Sequence, residues 1–365
     1  MFHLPRTQIE PMLAEIVSKK ELASEVLQQR DEVVDAIGKL SRQVKAKLVG
    51  REQEVDVVLA GILSGTSTIL MGPPGTAKSL LVRMVADAAG ARDDAFFDYL
   101  ISNHTMPEEL FGSVDLSGLV EGKMQRVTRG KMPVAEIAFL DEVFRGGSHI
   151  LNTLLTIINE KRFDAGDGMQ DVPLLAVIAA ANTPPEKDEM QAFFDRFPVR
   201  CWVDPLLDGS DTDGVETRLV DTALRVERGR LSRTWNPTSV VSTDDAAVAT
   251  TNHFRVGRAL LHVLLRDASG KDFENRRAEF QAMFHDCRTL AKLSDRSLGQ
   301  LWFFGAAYDL VRGLDPVLPA EVSRRNKGLR SDGHLQVFRY VARSQQTRRT
   351  FDDRVANFIR AHEVA

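Results

Sequence analysis

The sequence predicts an α/β domain, a parallel sheet sandwiched by helices, followed by a mainly helical domain, and three observations carry that expectation. Apolar runs at Thr68–Met71 (TILM), Ile137–Leu140 (IAFL) and Leu174–Ala181 (LLAVIAAA) show no polar alternation, as strands buried on both faces of a parallel sheet require. Helical apolar spacing follows the first two of them, over Ser79–Ala89 and His149–Glu160, as parallel crossovers demand. Beyond a polar stretch at Leu207–Gly214 the pattern is helical, over Val215–Gly229, Asp244–Asp267, Phe273–Ala291, Asp295–Gly313 and Gly333–Ala361. The division expected is a helical arm over residues 1–48, an α/β domain over 49–206 and a helical domain over 207–365.

Taken in order, Ile9–Leu48 repeats apolar residues at helical spacing among many charges, with a break at Gly38. It reads as two amphipathic helices that cover the core or a neighbouring subunit, or that dock a partner. Val49-Gly50-Arg51-Glu52 then ends one element and starts a helix leading into the first strand; such a pair as Val49-Gly50 can line an adenine pocket or simply turn the chain. Phe96–Ile101 (FFDYLI) is a short strand. In the polar segment after it, Pro107 marks a helix start and Glu108-Glu109 suit the first-turn dipole. His104 has no second ligand at metal spacing and reads as a solvated histidine. Leu119–Pro133, around Gly122 and Gly130, reads as a projecting hairpin or loop, and Lys161–Val172 as a Gly/Asp turn between strand-like ends. Phe193–Val203 places Arg196 and Arg200 around a short apolar turn into the last strand.

With 365 residues, 43% hydrophobic and 27% charged, the chain has an ordinary globular composition and length for two domains. A net charge of −4, with signs interspersed, gives no single-sign field for nucleic acid. The basic run Arg324–Arg330 and the pair Arg348-Arg349 read as solvated faces. Two cysteines, Cys201 and Cys287, are too few for a disulfide scaffold, so a reducing cytoplasm is expected. The N-terminus lacks a basic segment followed by a long apolar run, and no stretch of about 18 apolar residues occurs, so export and membrane spanning are not expected.

The chemistry gathers at TILMGPPGTAKSL, residues 68–80. A strand, a Gly/Pro loop and a helix start can cradle a nucleotide phosphate. Gly72, Pro73, Pro74, Gly75, Thr76 and Ala77 form the loop, Lys78 supplies a full positive charge, Ser79 a hydroxyl for magnesium, and Leu80 continues the helix. Ala77 departs from the usual G-x-x-x-x-G-K-[ST] pattern, standing where the second glycine belongs. About 60 residues on, Asp141-Glu142 closes a buried strand at the edge where α/β sheets bind ligands. Asp141 is placed to hold magnesium through its water shell, and Glu142, aimed elsewhere, to polarise a water. Asn182, at the tip of the next buried strand, can orient that water against a γ-phosphate.

With these pieces in sequence the chain resembles the MoxR branch of the AAA+ ATPases, and within it most closely the RavA type. The shared wording includes GPPGTAKS, in which alanine at Ala77 is a mark of the branch, MPEELFG at Met106–Gly112, the strand ending at Asp141-Glu142, ILNTLLTIINE, the DRF-x-x-R turn and Leu293-Ser294-Asp295-Arg296. The resemblance implies a P-loop AAA+ domain with a helical lid. Lys78 and Ser79 become the Walker A residues, Asp141 and Glu142 the Walker B pair, Asn182 sensor 1, Arg296 sensor 2, and Arg196, rather than Arg200, the arginine finger reaching a neighbour's nucleotide. Residues 106–132 resemble the helix-2 insert and 162–172 the hairpin before sensor 1, both expected to face a pore or partner.

The same resemblance implies ATP and Mg2+ as cofactors, a homo-hexameric ring, and a von Willebrand factor A domain protein as partner. The function expected is ATP-driven remodelling, maturation or metal and cofactor insertion in partner proteins. Two other classes stay in view, a nucleic-acid-stimulated motor or loader and a non-hydrolysing nucleotide-dependent scaffold. Composition speaks against the first and the filled catalytic positions against the second. No guanine-reading N-K-x-D motif occurs, Asn326-Lys327-Gly328-Leu329 lacking the acid.

Overall fold

In a computed structural model the described residues are 9–120, 122–185, 188–206, 249–269, 271–314, 333–342 and 345–363, with 4, 6, 217–221 and 224. Five strands, β1 (Thr68–Met71), β2 (Phe96–Leu100), β3 (Ile137–Asp141), β6 (Ala176–Ala181) and β7 (Val199–Trp202), form one parallel sheet in the order β2-β3-β6-β1-β7. Register sets Met71 opposite Ala181 and Trp202, so the carboxyl ends of β1, β6 and β7 are level. Every residue of β1, β6 and β7 is buried, which is why their sequences carry no polar alternation.

Helices α4 (Glu52–Ser64) and α5 (Lys78–Ala88) flank the sheet, while α8 (Ser148–Glu160) packs on the hairpin that follows it and on α9 (Asp188–Phe194). In α4 every residue from Val55 to Ser64 is buried, because it lies between the sheet and helix α12 (Asp295–Val311). Close packing there needs Gly61: an added Cβ would lie 2.5 Å from Thr68 Oγ1. The insert holds α6 (Pro107–Phe111), α7 (Leu116–Val120) and a single antiparallel bridge, Val114 to Arg126. Strands β4 (Arg162–Asp164) and β5 (Met169–Asp171) pair as the expected hairpin.

The N-terminal region differs from expectation in helix number. Three helices form, α1 (Ile9–Ser18), α2 (Lys20–Gln28) and α3 (Arg30–Lys47), and the chain breaks at Lys19 and Gln29 rather than at Gly38. Gly38 is carried inside α3, where a Cβ would meet nothing closer than Arg42 Nη1 at 3.4 Å. These helices pack on α10 (Thr251–Asp267), with Ile16, Val26, Val33, Ile37, Leu40 and Val44 fully buried. Arg6 and Arg255 both pair with buried Glu136, just before β3, so N-terminal segment, sheet and helical region share one ion cluster.

The helical region contains α10, α11 (Lys271–Ala291) and α12, then α13 (Gly333–Gln336), a 3-10 turn at Val337–Tyr340, and α14 (Gln345–Glu363). The single helix expected over 333–361 is therefore interrupted. The reason is hydrogen bonding from the sheet edge: Arg200 Nη1 donates to Val341 O at 3.0 Å and Trp202 Nε1 to Ala342 O at 3.2 Å. Side chains of β7 thus take carbonyls that a continuous helix would use. The expected linker at 207–214, the basic run 324–330 and most of the helix at 215–229 lie outside the described residues. Among the described residues no helix is long and apolar enough to cross a membrane.

Candidate functional site

The site is built on three adjacent strand ends, since β6 lies between β1 and β3. Gly72 leaves β1 with its amide bonded to Ala181 O at 3.2 Å, while Val203 N reaches Met71 O at 2.7 Å. A Cβ on Gly72 would stand 2.1 Å from Val203 O, a backbone atom that cannot swing aside, so this position takes glycine alone. Gly75 turns at φ 83. Ala77 sits in the left-handed region, φ 65 and ψ 22, immediately before α5. The missing glycine is therefore missing in residue type and present in conformation, at a steric cost of about 1–2 kcal/mol.

Lys78 is buried and its Nζ is enclosed by its own loop and by β6. It donates to Gly72 O at 2.7 Å, Pro73 O at 2.9 Å, Thr76 Oγ1 at 3.3 Å and Asn182 Oδ1 at 3.2 Å. Burial lowers its pKa, against the opposing pull of Asp141 and Glu142. Ser79 Oγ donates to Asp141 Oδ2 at 2.6 Å, joining α5 to the end of β3. Glu142 turns away from Asp141 because its backbone is left-handed, φ 54 and ψ 40. That turn brings its carboxylate to Asn182, whose Nδ2 donates to Glu142 Oε1 at 2.5 Å. Lys78, Asn182 and Glu142 form one hydrogen-bonded chain across the sheet edge, with Ser79 and Asp141 beside it.

Two residues enter to which the sequence reading gave no part in the site. Arg145 Nε lies 3.4 Å from Glu142 Oε2, three residues on in the same turn, where an acidic-to-basic spacing was the available signal. Arg51 is buried, donates to Asp204 O at 2.8 Å and pairs with Glu54 at 3.3 Å. It fixes the Val49-Gly50 segment against the end of β7; Gly50, at φ 64, leaves room for Leu206, which a Cβ would meet at 2.6 Å.

The two arginines of the 196–200 turn have different surroundings. Arg200 is 1% exposed and donates to Phe197 O at 3.0 Å, Val341 O at 3.0 Å and Ala291 O at 3.3 Å, with its guanidinium 4.4 Å over the Phe194 ring. Arg196 is half-buried, and its Nε has no hydrogen-bond partner among the described residues. Arg296 is not brought to the cluster. Its Nη2 lies 3.4 Å from Asn159 O, near the far end of α8, and neighbouring Gln300 O accepts from Thr66 before β1. Helix α12 runs antiparallel to α4, which sets its first turn at the amino edge of the sheet, away from the loop of the same chain.

The family described as the MoxR domain in MoxR-vWA-beta-propeller ternary systems matches residues 35–220, just over half of the chain. An uncharacterised protein of Methanocaldococcus jannaschii is 40% identical over 170 residues, 46% of this chain and 44% of that protein. A second from the same organism is 41% identical over 163 residues, 44% of this chain and 43% of that protein. Chaperone MoxR1 of Mycobacterium tuberculosis is 26% identical over 159 residues, 42% of this chain and 41% of that protein. The chain thus spans under half the length of the curated relatives it matches. A crystal structure of a candidate ATPase from Cytophaga hutchinsonii superposes with a TM-score of 0.58 over 94% of this chain and 98% of that chain, at 18% identity, a likeness of fold.

Proposed function

The chain belongs to the MoxR family of AAA+ ATPases, and from that membership we propose that it is a magnesium-dependent ATP hydrolase, assembled as a homo-hexameric ring, that remodels or matures partner proteins. The observation that supports this reading most directly is the hydrogen-bonded chain Lys78, Asn182, Glu142, with Ser79 bonded to Asp141, at one edge of three adjacent strands. Ser79 and Asp141 would hold the metal, two protein oxygens being the small number magnesium takes when phosphates and water complete its shell. Bound magnesium would neutralise charge on the phosphates.

The remaining roles fall to the chain's own groups. Lys78 exchanges the carbonyls of Gly72 and Pro73 for phosphate oxygens, and the backbone amides of residues 75–80 line the anion. Glu142 orients the attacking water and accepts its proton, while Asn182 holds the carboxylate and water in line. Arg196 of a neighbouring subunit neutralises charge developing on the transferred phosphoryl, worth roughly 10³–10⁵ in rate in other nucleotide hydrolases. Its polar Nε, still without a partner among the described residues, fits that assignment. Val49 and Gly50 flank the base.

Glu142→Gln tests the reading: ATP binding persists while turnover falls about 10²–10⁴-fold, the worth of a positioned general base. Full turnover in that variant overturns it. Arg196→Ala abolishes turnover in the homo-oligomer and is rescued in mixed rings; absence of rescue assigns Arg196 to its own subunit. A von Willebrand factor A protein is the partner we infer, because the matching family description names such systems. It should co-purify with the Glu142→Gln variant in ATP, and stimulation by DNA or RNA in its place refutes this partner. The RavA-type affiliation is inferred from the motif wording taken together, Ala77 marking only the wider MoxR branch, and a cytoplasmic location from the two free, buried cysteines.

A further inference from the structure

Most of the exposed large hydrophobics among the described residues lie between Leu100 and Met169. Helix α7 (Leu116–Val120) buries none of its residues. Exposed apolar groups gathered in this way mark interaction sites. In the same region the insert, α8 and the hairpin enclose an open groove of about 450 Å³. Its floor is Phe111, Ile157 and Phe163, all buried, with the rings of Phe111 and Phe163 stacked 5.8 Å apart. Met124 and Met169 stand at its rim, 52% and 40% exposed. Short contacts fix the walls. Gly166, at φ 100, lets the hairpin approach the insert, since a Cβ there would lie 2.4 Å from Met124 O, and Gln125 Nε2 donates to Asp167 Oδ2 at 3.1 Å. A groove fixed in this way loses little ordering entropy to an occupant, while methionine thioethers adapt to the apolar group that enters.

Charge decides what that occupant carries. Four charged residues line the groove, Glu108, Arg126, Arg162 and Asp164. Arg162 is answered within the hairpin, its Nε lying 3.6 Å from Asp171 and its Nη2 donating to Met169 O at 3.3 Å. Arg126 Nη1 is turned to Gly112 O at 2.9 Å. The Glu108 carboxylate has neither hydrogen-bond nor ion partner among the described residues, and Asp164 accepts from the amide of Gly166 at 2.9 Å. Two exposed carboxylates without a paired cation thus flank an apolar floor. Such an arrangement repels phosphates and other acidic groups and attracts an amine or guanidinium.

On the reading of this chain as one that remodels partner proteins, we propose that the groove holds an extended segment of the partner polypeptide, in which a large apolar side chain lies beside lysine or arginine. The apolar group settles on Phe111, Ile157 and Phe163 between the two methionines, and the cation meets Glu108 and Asp164. Thr156, on the α8 wall, offers a hydroxyl to the segment's backbone.

The test irradiates the full chain with a short peptide that carries benzoylphenylalanine between two lysines, and maps the attachment by mass spectrometry. Benzophenones favour methionine, so Met106, 58% exposed and outside the groove, is the internal reference. Label on Met124 and Met169 is expected to exceed label on Met106. A peptide with glutamates in place of the lysines should label the two groove methionines roughly 2–30-fold less, the worth of two exposed ion pairs. That gap should narrow in about 1 M salt and in Glu108→Lys. Equal label on Met106, or equal label from the two peptides, overturns the proposal, as does an unlabelled groove covered by a second copy of the chain. ATP turnover of the same samples separates such a result from failure of the ATPase reading, since Lys78, Asp141, Glu142 and Asn182 lie outside the groove.

Discussion

Replacing Arg200 by methionine separates a buried tie from a catalytic arginine. The substitution keeps length and apolar stem but leaves the carbonyls of Phe197, Ala291 and Val341 without their donor. A buried acceptor left unpaired costs about 1–3 kcal/mol, so three cost about 3–6 after partial relaxation. Loss of the cation–π contact with Phe194, 4.4 Å away, adds about 1 kcal/mol. The guanidinium's own desolvation penalty is recovered and returns about 2 kcal/mol. A net loss of about 2–5 kcal/mol follows. With about 2.1 cal/mol/K of unfolding entropy per residue over 365 residues, this lowers Tm by roughly 3–6 °C. Thermal unfolding followed by circular dichroism, beside ATP turnover of the same samples, is the assay. Arg196→Ala should melt within about 1 °C of the parent while losing turnover, because its Nε makes no hydrogen bond among the described residues for the change to break. An Arg200→Met variant that melts like the parent and whose turnover is restored in mixed rings would show that Arg200 is the trans-acting residue and that the reasoning is wrong.

Ala77→Gly removes the left-handed strain at φ 65, worth about 1–2 kcal/mol, and gives back about 0.5–1 through the freer unfolded chain. A gain of about 0–1.5 kcal/mol in urea unfolding is expected with nucleotide binding retained; destabilisation contradicts the left-handed strain at Ala77. His262, tilted against Phe303 with ring centroids 4.4 Å apart, is pushed down to about 4, by burial first and Arg258 second. Its folded value lies below the unfolded one, near 6.5, so the unfolded chain takes the proton first. Stability is whole above about pH 6.5 and declines as pH falls towards 4, by about 3 kcal/mol at most and roughly half that for a ring partly open to solvent. His262→Phe should flatten the loss between pH 7 and pH 5 measured by urea midpoints; an unchanged pH slope assigns the decline to other groups.

Much of the fold was legible because burial on both faces leaves a direct mark. IAFL, LLAVIAAA and TILM could not sit at a surface, and each is a parallel strand. The hairpin at 162–171 was legible from its Gly/Asp turn. Helix boundaries were less so. Gly38 marked a break in the apolar pattern, yet a glycine inside a helix costs only about 1 kcal/mol, and α3 runs through it. The interruption after Tyr340 had no local signal, because the donors that cause it, Arg200 and Trp202, are about 140 residues away.

By itself the sequence determined the chemical inventory: a phosphate-type loop with Lys78 and Ser79, a paired Asp141-Glu142, an amide at Asn182, and two arginines in one turn. These depend on residue type and near spacing, which a chain carries openly. Only the tertiary structure decided which of them meet. Strand order set Asn182 between Lys78 and Glu142, and the left-handed turn at Glu142 aimed its carboxylate there. It also withdrew Arg200 into a buried tie and held Arg296 at Asn159, away from the loop of its own chain. Both outcomes follow from long-range packing of the helical region on β7 and α8. Hydrogen bonds between groups more than 90 residues apart leave no period or motif in a sequence, so packing alone distributes these arginines.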